Sequence, residues 1–450
     1  FSVGNQCAYP RAGFLWSLTM TGGTSPPSED DNLALEVRRS AFEDLEEKLV
    51  WRKNAPLLYD LFALCDLEQT AQSVSWLPDV EDEPTKLAVG LRQKGSQKSK
   101  LRVLELTCLV DNESSEEPWK TWSIDDLGAV SGFGLKGMKD QAPLRTAVEF
   151  KMPSDANRIA ACPTQASLLA VKGCCGNVFL YDCKSPEGSE GSAGCKATLS
   201  EEKPVEGYAL EWSPSDVHFL STGGHDGLLS IWDVQAQSKV WSTKAHEGPL
   251  NDLCHSANGQ QLVTLGEDHA TVIWDVRAKS KASGFQVATE QLSVDWNLSE
   301  SHLLLTGGKD GVLHIWDMRQ VHTPFKSLKG HHGEVVQVKW CPREVTDGVP
   351  NHFLASACAG GQTILWNMSA DEPNEDGEAP EVLFIHSGHH GAVNDFGLAP
   401  LDDFLFCSVA EDNLQLWQPA AVIMDDEDEP RESAAKRQRT EAETQGDESK

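Results

Sequence analysis

The chain has 450 residues, enough for a large core, and a length prior alone would divide it into about three domains. Its 38 Lys and Arg against 69 Asp and Glu give a formal charge of −31. This balance argues against nucleic acid or an anionic membrane as the main partner, because both need a basic surface. A basic partner complements the charge, although acidity also keeps a large protein soluble.

The 12 cysteines show neither metal-ligand spacing nor the framework of a secreted disulfide protein. We therefore expect no metal and no cofactor, and a reducing compartment. No apolar run is long enough to span a bilayer. The stretch 12–20 faintly resembles a signal-peptide core but lacks a basic start, and Met20 is a candidate true start of translation.

Residues 1–31 are predicted to form a disordered N-terminal segment, because the stretch becomes rich in Gly, Ser, Pro and Asp. The next residues predict an amphipathic α-helix over 32–55 that packs on the side of the fold that follows. Its apolar positions recur every four residues, at Val37, Ala41, Leu45 and Leu49, and Asn54-Ala55-Pro56 ends it.

One short phrase recurs four times in the second half of the chain. The copies, each ending in Trp-Asp or Trp-Asn, lie at 229–233, 271–275, 313–317 and 363–367. Their tryptophans step by 42 (232 to 274), 42 (to 316) and 50 (to 366), and Trp417 follows after 51. This period is typical of WD repeats. With two weaker blades before Trp232, we predict an all-β, seven-bladed WD-repeat β-propeller over 56–424 and a disordered acidic tail over 425–450.

Polar residues of the repeat fit a buried hydrogen-bond chain rather than a catalytic site. The best set is His246, Thr264, Asp268 and Trp274. The blade ending at Trp366 keeps His331 and Ser356 but has Gly361 where the Asp belongs, so we expect it to be less rigid. A hydrolytic triad is the competing interpretation, but a triad occurs once and this set recurs blade after blade.

Seven further phrases in and between the repeats are distinctive, and they lie at 46–61, 74–78, 206–214, 334–340, 380–389, 408–418 and 424–428. These phrases resemble the retinoblastoma-binding/MSI1-like family of histone-binding WD-repeat proteins, the small-subunit family of chromatin assembly factor. They follow the order of that family from about residue 35 to 430, so the chain is identified as a divergent member.

The resemblance implies a groove between the N-terminal helix and an acidic loop before the last blade. In the family this groove takes the first helix of an arginine-rich core histone, a helix-in-groove contact with a charged rim. The loop departs from the family at Glu378-Ala379-Pro380, where paired prolines are usual. Phe384 and Ile385 could instead be strand core. The implied groove residues are Leu45, Leu49, Leu58, Asp376, Glu378, Glu381, Phe384 and Ile385.

The resemblance also implies a peptide site at the top of the propeller channel, which in the family takes extended basic tails. The matching positions are Glu68, Glu206, Tyr208, Glu334, Glu411 and Asn413. Asn251, Leu292 and Val336 depart from the family's carboxylate, amide and aromatic residue, and Gln69-Thr70 from its Trp-Pro. Arg145 aligns with an acid of the first channel strand and would repel a basic tail, so we expect this site to be weakened or re-specified.

The function implied by the resemblance is that of a histone-binding scaffold or chaperone without enzymatic activity. The expected partners are the arginine-rich core histones (the H-three/H-four pair) and subunits of histone acetyltransferase, deacetylase, methyltransferase, remodelling or chromatin assembly complexes. No direct contact with nucleic acid or membrane is expected. The basic island 436–439 in the acidic tail fits a nuclear-import signal or an incidental cluster, and we expect a nuclear location, with the cytoplasm as a second one.

The alternative function is that of a substrate receptor for a cullin-type ubiquitin ligase. The segments 274–277 and 316–319 match the short WDxR signature of such receptors, with Arg277 and Arg319 as the signature arginines. WD repeats often produce Trp-Asp, and a nearby Arg is common, so the signature has low specificity.

Overall fold

The computed structural model describes residues 51, 54–55, 57–80, 83–95, 97–106, 132–133, 144–184, 194–341, 352–369, 380–400 and 404–424. Trp51, Asn54, Ala55, Leu57 and Leu58 have helical conformation, so the helical backbone continues past Ala55. A short helix, Ala421–Met424, follows the last strand. No helix in the described part of the chain is long and apolar enough to cross a bilayer.

Seven antiparallel sheets form a ring, and six of them are four-stranded blades. From the innermost strand outward, blade one is β2 (Ala71–Trp76), β3 (Lys86–Leu91), β4 (Lys100–Leu106) and β6 (Leu144–Lys151); blade two is β7 (Ala156–Ala161), β8 (Leu168–Gly173), β9 (Val178–Asp182) and β10 (Cys195–Leu199); blade three is β11 (Leu210–Trp212), β12 (Phe219–Gly223), β13 (Leu228–Asp233) and β14 (Ser238–Lys244). Blade four is β15 (Leu250–His255), β16 (Gln261–Gly266), β17 (Ala270–Asp275) and β18 (Ser280–Gln286); blade five is β19 (Gln291–Trp296), β20 (Leu303–Gly308), β21 (Val312–Asp317) and β22 (Lys326–Lys329); blade six is β23 (Val335–Trp340), β24 (Phe353–Cys358), β25 (Thr363–Asn367) and β26 (Val382–His386).

Blade seven joins the two ends of the chain. Its inner strands are β27 (Val393–Leu398), β28 (Phe406–Ala410) and β29 (Leu414–Pro419), and its outer strands are β1 (Tyr59–Cys65) and β5 (Gly132–Phe133). Strand β1 pairs antiparallel with β29, which places Phe62 opposite Trp417. The innermost strands contact one another in sequence around the ring, and β27 contacts β2. The predicted all-β, seven-bladed propeller is confirmed.

The position of a strand in its blade decides its composition. Inner strands are covered on both faces by the neighbouring blades, so β8 is apolar at nearly every residue and buried throughout. The outermost strand β18 faces solvent, and six of its seven residues are exposed. The hydrophobic clusters accordingly lie between adjacent blades, and polar atoms are left to the channel and to the two end faces.

The predicted hydrogen-bond chain is present in blade four. The ring of His246 bonds through Nδ1 to Asp268 and through Nε2 to Thr264, both at 2.9 Å, and Trp274 Nε1 donates to Thr264 at 3.0 Å. His389, Ser408, Asp412 and Trp417 repeat the arrangement in blade seven. These bonds satisfy buried polar groups, which explains the recurrence without catalysis.

Blade six lacks the Asp of this hydrogen-bond chain, as predicted, but the residue predicted to replace the Asp was off by one position. His331 bonds Ser356 through Nε2 at 2.6 Å, and its buried Nδ1 has no hydrogen-bond partner among the described residues. Gly361, with φ of +85°, occupies the turn position of Gly311, so the residue in the Asp place is Gly360. Only glycine adopts such a φ readily, so the positive φ marks Gly361 as the turn residue. Because Gly360 and Gly361 are adjacent glycines, the sequence does not show which of them replaces the Asp.

Candidate peptide-binding sites

An aromatic junction connects the N-terminal segment to blades six and seven. Trp51 Nε1 donates to the hydroxyl of Tyr59 at 2.9 Å, and this hydroxyl bonds His386 Nδ1 at 2.8 Å. Burial holds the pKa of His386 well below its usual range, so the ring is neutral and can accept from Tyr59. His386 also stacks on Trp417 with a centroid distance of 4.3 Å. The junction fixes where the N-terminal segment leaves the propeller.

Beside this junction the chain presents apolar side chains to solvent. Leu57 is 56% exposed. Leu58 is half-buried against the junction cluster, as are Leu383 and Ile423. The carbonyl of Leu58 accepts from Ala420 at 2.9 Å, which holds it next to the helix Ala421–Met424. A leucine pair kept at the surface by backbone bonds suits an apolar helix face.

The predicted groove residues do not form one continuous floor. Phe384 is buried in the aromatic junction. Its ring centroid lies 5.1 Å from that of Tyr59 and 6.0 Å from that of Trp417, on which it stacks. Ile385, the next residue of β26, packs against the core between blades five and six. Successive strand residues point to opposite faces, so a single ligand helix cannot lie on both side chains.

The predicted acidic rim is only partly within the described residues. Glu381 already forms an ion pair with Lys326 at 2.9 Å, and its side chain is 15% exposed. It is therefore a structural link between the outer strands of two blades rather than an unpaired acid for a ligand. Leu45, Leu49, Asp376 and Glu378 lie outside the described residues.

The residues predicted for the top site lie at one end of the channel. The loops that join consecutive blades, and those between the second and third strands of a blade, open on this end, which we call the top face. All six predicted residues lie in these loops: Glu68, Glu206, Tyr208, Glu334, Glu411 and Asn413. Glu68, Glu206, Glu334 and Glu411 are exposed, so the top face carries a ring of carboxylates.

A cavity of about 370 Å³ opens at the centre of the top face. Of the six predicted residues only Tyr208 lines it, together with the three departures from the family, Asn251, Leu292 and Val336. The other lining residues were not predicted: Gln72, Asn157, Arg158, His225, Ala392, Val393, Asn394 and Asp395.

The prediction for Arg145 was wrong. Arg145 lies on β6, the outermost strand of blade one, where its side chain is 72% exposed and bonds Glu105 at 2.6 Å. The first blade departs so far from the repeat that its strands could not be told apart in sequence. A channel cation does exist, but it is Arg158, on the innermost strand of blade two. Arg158 is the third residue of its strand, the position of Asp252 and Asp395, and aligning the blades on that register would have found it.

Deeper in the channel lies a cluster of buried charges. Burial raises the pKa of Asp295 to about 6, although the hydrogen bond from Trp340 N and the charge of Lys339 both act to lower this pKa. Burial also raises the pKa of Glu211 well above its usual range. Lys339 Nζ donates to the carbonyl of Phe396 at 2.8 Å, and burial lowers its pKa. The cation thus partly offsets the carboxylates that surround it.

The opposite face holds a larger cavity, about 460 Å³, between blades one and two. Its cations are already paired: Lys86 and Lys184 with Glu83, and Arg145 with Glu105. Such an internally satisfied cleft offers little to a charged ligand. Within the described residues no group of three or more His, Cys, Asp and Glu is placed to hold a metal ion.

Comparisons with known proteins agree with the repeats and with the N-terminal phrase. The family model for the histone-binding protein RBBP4, which also describes a component of the CAF1 complex, matches residues 46–110, and the WD-domain model matches 194–233, 237–275 and 288–317. A protein of Schizosaccharomyces pombe, "Histone acetyltransferase type B subunit 2", is 28% identical over 425 residues, covering 88% of this chain and 95% of its own length. The Candida glabrata protein of the same name is 25% identical over 399 residues, covering 84% and 89%.

Proposed function

The chain belongs to the WD-repeat family of histone-binding proteins that includes RBBP4 and its counterpart in the CAF1 complex, and from this premise we propose that it is a histone-binding scaffold subunit of chromatin-modifying complexes. The observation that carries the proposal is the match of the family model to 46–110, the stretch that contains Trp51, Leu58 and Tyr59. A propeller with a non-catalytic hydrogen-bond chain suits a scaffold. Its partners would be core histones and an acetyltransferase subunit, in the nucleus.

The groove beside Leu58 is proposed as the site for a histone helix. Leu57 and Leu58, with Leu383 and Ile423, offer an apolar surface to one face of an amphipathic helix. The acidic segment 371–378, with Asp376 and Glu378, and the predicted helix with Leu45 and Leu49 would flank it. A formal charge of −31 draws a basic helix toward this surface.

The top face is proposed as a second, separate peptide site. Its ring of glutamates favours a basic peptide, because the negative charge attracts the peptide as it approaches and can form ion pairs with it at the rim. Each exposed ion pair adds little affinity. Tyr208, 44% exposed, provides the apolar contact, and its ring lies 5.7 Å from that of His225.

Binding of two peptides at two salt concentrations tests the proposal. One peptide is the first helix of an arginine-rich core histone, and the other is a basic histone tail. Leu58→Glu places a charge in the apolar contact and is expected to weaken helix binding at least about tenfold. Leu298→Glu is the matched control, since Leu298 is 63% exposed in the loop between the first two strands of blade five and is not a groove residue. The proposal fails if neither peptide binds.

The ubiquitin-ligase alternative makes a different prediction. The guanidinium of Arg319 donates to both carboxylate oxygens of Asp317, from Nε to Oδ1 at 2.9 Å and from Nη2 to Oδ2 at 2.6 Å, so it is engaged by its own blade. Capture of a ligase adaptor that is lost on changing Arg277 and Arg319 to Ala would favour the receptor. Histone capture that survives the same double change favours the scaffold.

A further inference from the structure

Arg158 crosses the channel at the top cavity. From blade two it reaches across to blade six, where its Nη1 donates to Gln337 Oε1. The same nitrogen lies 3.5 Å from Asp395 Oδ1 of blade seven, and Nε donates to the carbonyl of Tyr208 at 3.4 Å. The side chain is 16% exposed and lines the top cavity. An internal guanidinium thus fills the centre of the site.

Asp395 has no capacity left for a cationic ligand. It is the one carboxylate among the described residues that line the cavity. Its oxygens accept from Ser73 Oγ at 2.7 Å, Val74 N at 3.1 Å and Phe396 N at 2.9 Å, and Arg158 neutralises its charge. A second cation entering the cavity would lose its water beside Arg158 without gaining a free carboxylate.

The rest of the cavity offers hydrogen-bond acceptors. The amide nitrogens of three asparagines are used within the protein: Asn157 donates to Glu206, Asn251 to Glu290 and Asn394 to the carbonyl of Ala71. These partners are all oxygens that can only accept, which fixes the orientation of each amide. No group of the described residues donates to the carbonyl oxygens of these three side chains, so these oxygens remain for a ligand that donates.

We propose that the channel mouth selects a peptide whose central side chain is uncharged and donates hydrogen bonds, such as a primary amide or a urea, and that Arg158 excludes arginine and lysine from it. The proposal rests on the top-face peptide site proposed above. The glutamates outside the cavity still favour basic residues on either side of the uncharged one. Arg158 is thereby a specificity-determining residue.

A matched peptide series tests the selection. Four copies of one basic peptide differ at a single central position, which is arginine, lysine, citrulline or glutamine, and their affinities are measured by calorimetry with the full-length protein. The wild type is expected to bind the citrulline and glutamine peptides at least about tenfold more tightly than the arginine and lysine peptides. Arg158→Gln is expected to abolish or reverse this preference, because Asp395 becomes available to a ligand cation.

Two further variants separate charge from fold. Arg158→Lys keeps the cation and should keep the preference, while Arg102→Gln removes an arginine paired with Glu149 on the third strand of blade one and should change nothing. Equal or tighter binding of the arginine peptide by the wild type overturns the proposal, and so does an unchanged preference in Arg158→Gln. If none of the four peptides binds, the proposal is also overturned, whereas the histone-helix groove is tested independently by Leu58→Glu.

Discussion

His331 and Ser356 hydrogen-bond at 2.6 Å in blade six, while the other ring nitrogen of His331 is buried without a partner among the described residues. Gly360→Asp is expected to supply that partner and to stabilise the fold by about 1 kcal/mol. A Cβ at Gly360 would meet only Cys358 Sγ, at 3.3 Å, so the Cys358 side chain has to shift by a few tenths of an ångström to admit it. Urea unfolding measures the gain.

The reverse change in blade four provides the comparison. Asp268→Gly removes a carboxylate that bonds His246 and the backbone of Glu247, and it should cost about 1–3 kcal/mol. If Gly360→Asp leaves the urea midpoint unchanged while Asp268→Gly lowers it, the new Asp in blade six does not complete the hydrogen-bond chain, and the prediction fails.

The stability of the fold should depend on the protonation of His331. Burial lowers the pKa of His331 to about 3, and the neighbouring His332 adds to the effect. Between about pH 6.5 and that value the unfolded chain holds a proton that the folded chain does not. The free energy of unfolding therefore falls as pH falls through this window. His331→Gln should flatten the slope by up to ~1.4 kcal/mol per pH unit, and His322→Gln, at an exposed position, should not.

Tyr59→Phe should loosen the N-terminal segment. It removes the hydroxyl that accepts from Trp51 and bonds His386, and the expected cost is about 1–3 kcal/mol because both partners stay buried or half-buried. Tyr181→Phe is the matched control, since the buried hydroxyl of Tyr181 has no hydrogen-bond partner in the described residues. In thermal unfolding, Tyr59→Phe should lower the melting temperature more than Tyr181→Phe does. Equal melting temperatures would contradict the role given to the junction.

Lys339→Met should be more harmful at high pH than at low pH. Asp252, Asp295, Asp395 and Arg158 surround Lys339, and the pKa of Asp295 is about 6. At pH 8 the variant leaves buried carboxylates without their cation, at a cost of about 3–5 kcal/mol. At pH 5 Asp295 is largely protonated and the cost should shrink. Lys309→Met, at an exposed pair with Glu290, should change the stability little at either pH.

The regular part of the fold could be predicted because its signals are local. The Trp-Asp phrases mark the third strand of each clear blade, and the partners of Trp274 follow from their spacing. Blade one departs from the repeat, so nothing local distinguished its outermost strand from its innermost, and Arg145 was misplaced. The pairing of Glu381 with Lys326 joins residues of different blades, and such contacts depend on tertiary geometry that spacing does not encode.

Adjacent residues in a strand posed a different problem. Phe384 and Ile385 were predicted as one apolar floor, yet the strand turns them to opposite faces. That alternation is a local rule and could have been applied. For Arg158 the position in the innermost strand could have been predicted from the repeat. Its partners Gln337 and Asp395 could not, because they come from other blades across the channel.

The pairing of β1 with β29 has a consequence for protein synthesis. Tyr59 leaves the ribosome early, but its neighbours His386 and Trp417 are made more than 300 residues later. Until then β1 can pair only with the two-residue strand β5, and the backbone bond from Ala420 to Leu58 cannot form. A chain that terminates before β29 therefore cannot assemble the proposed helix groove, so only molecules synthesised through β29 and the helix after it could present the groove to a histone.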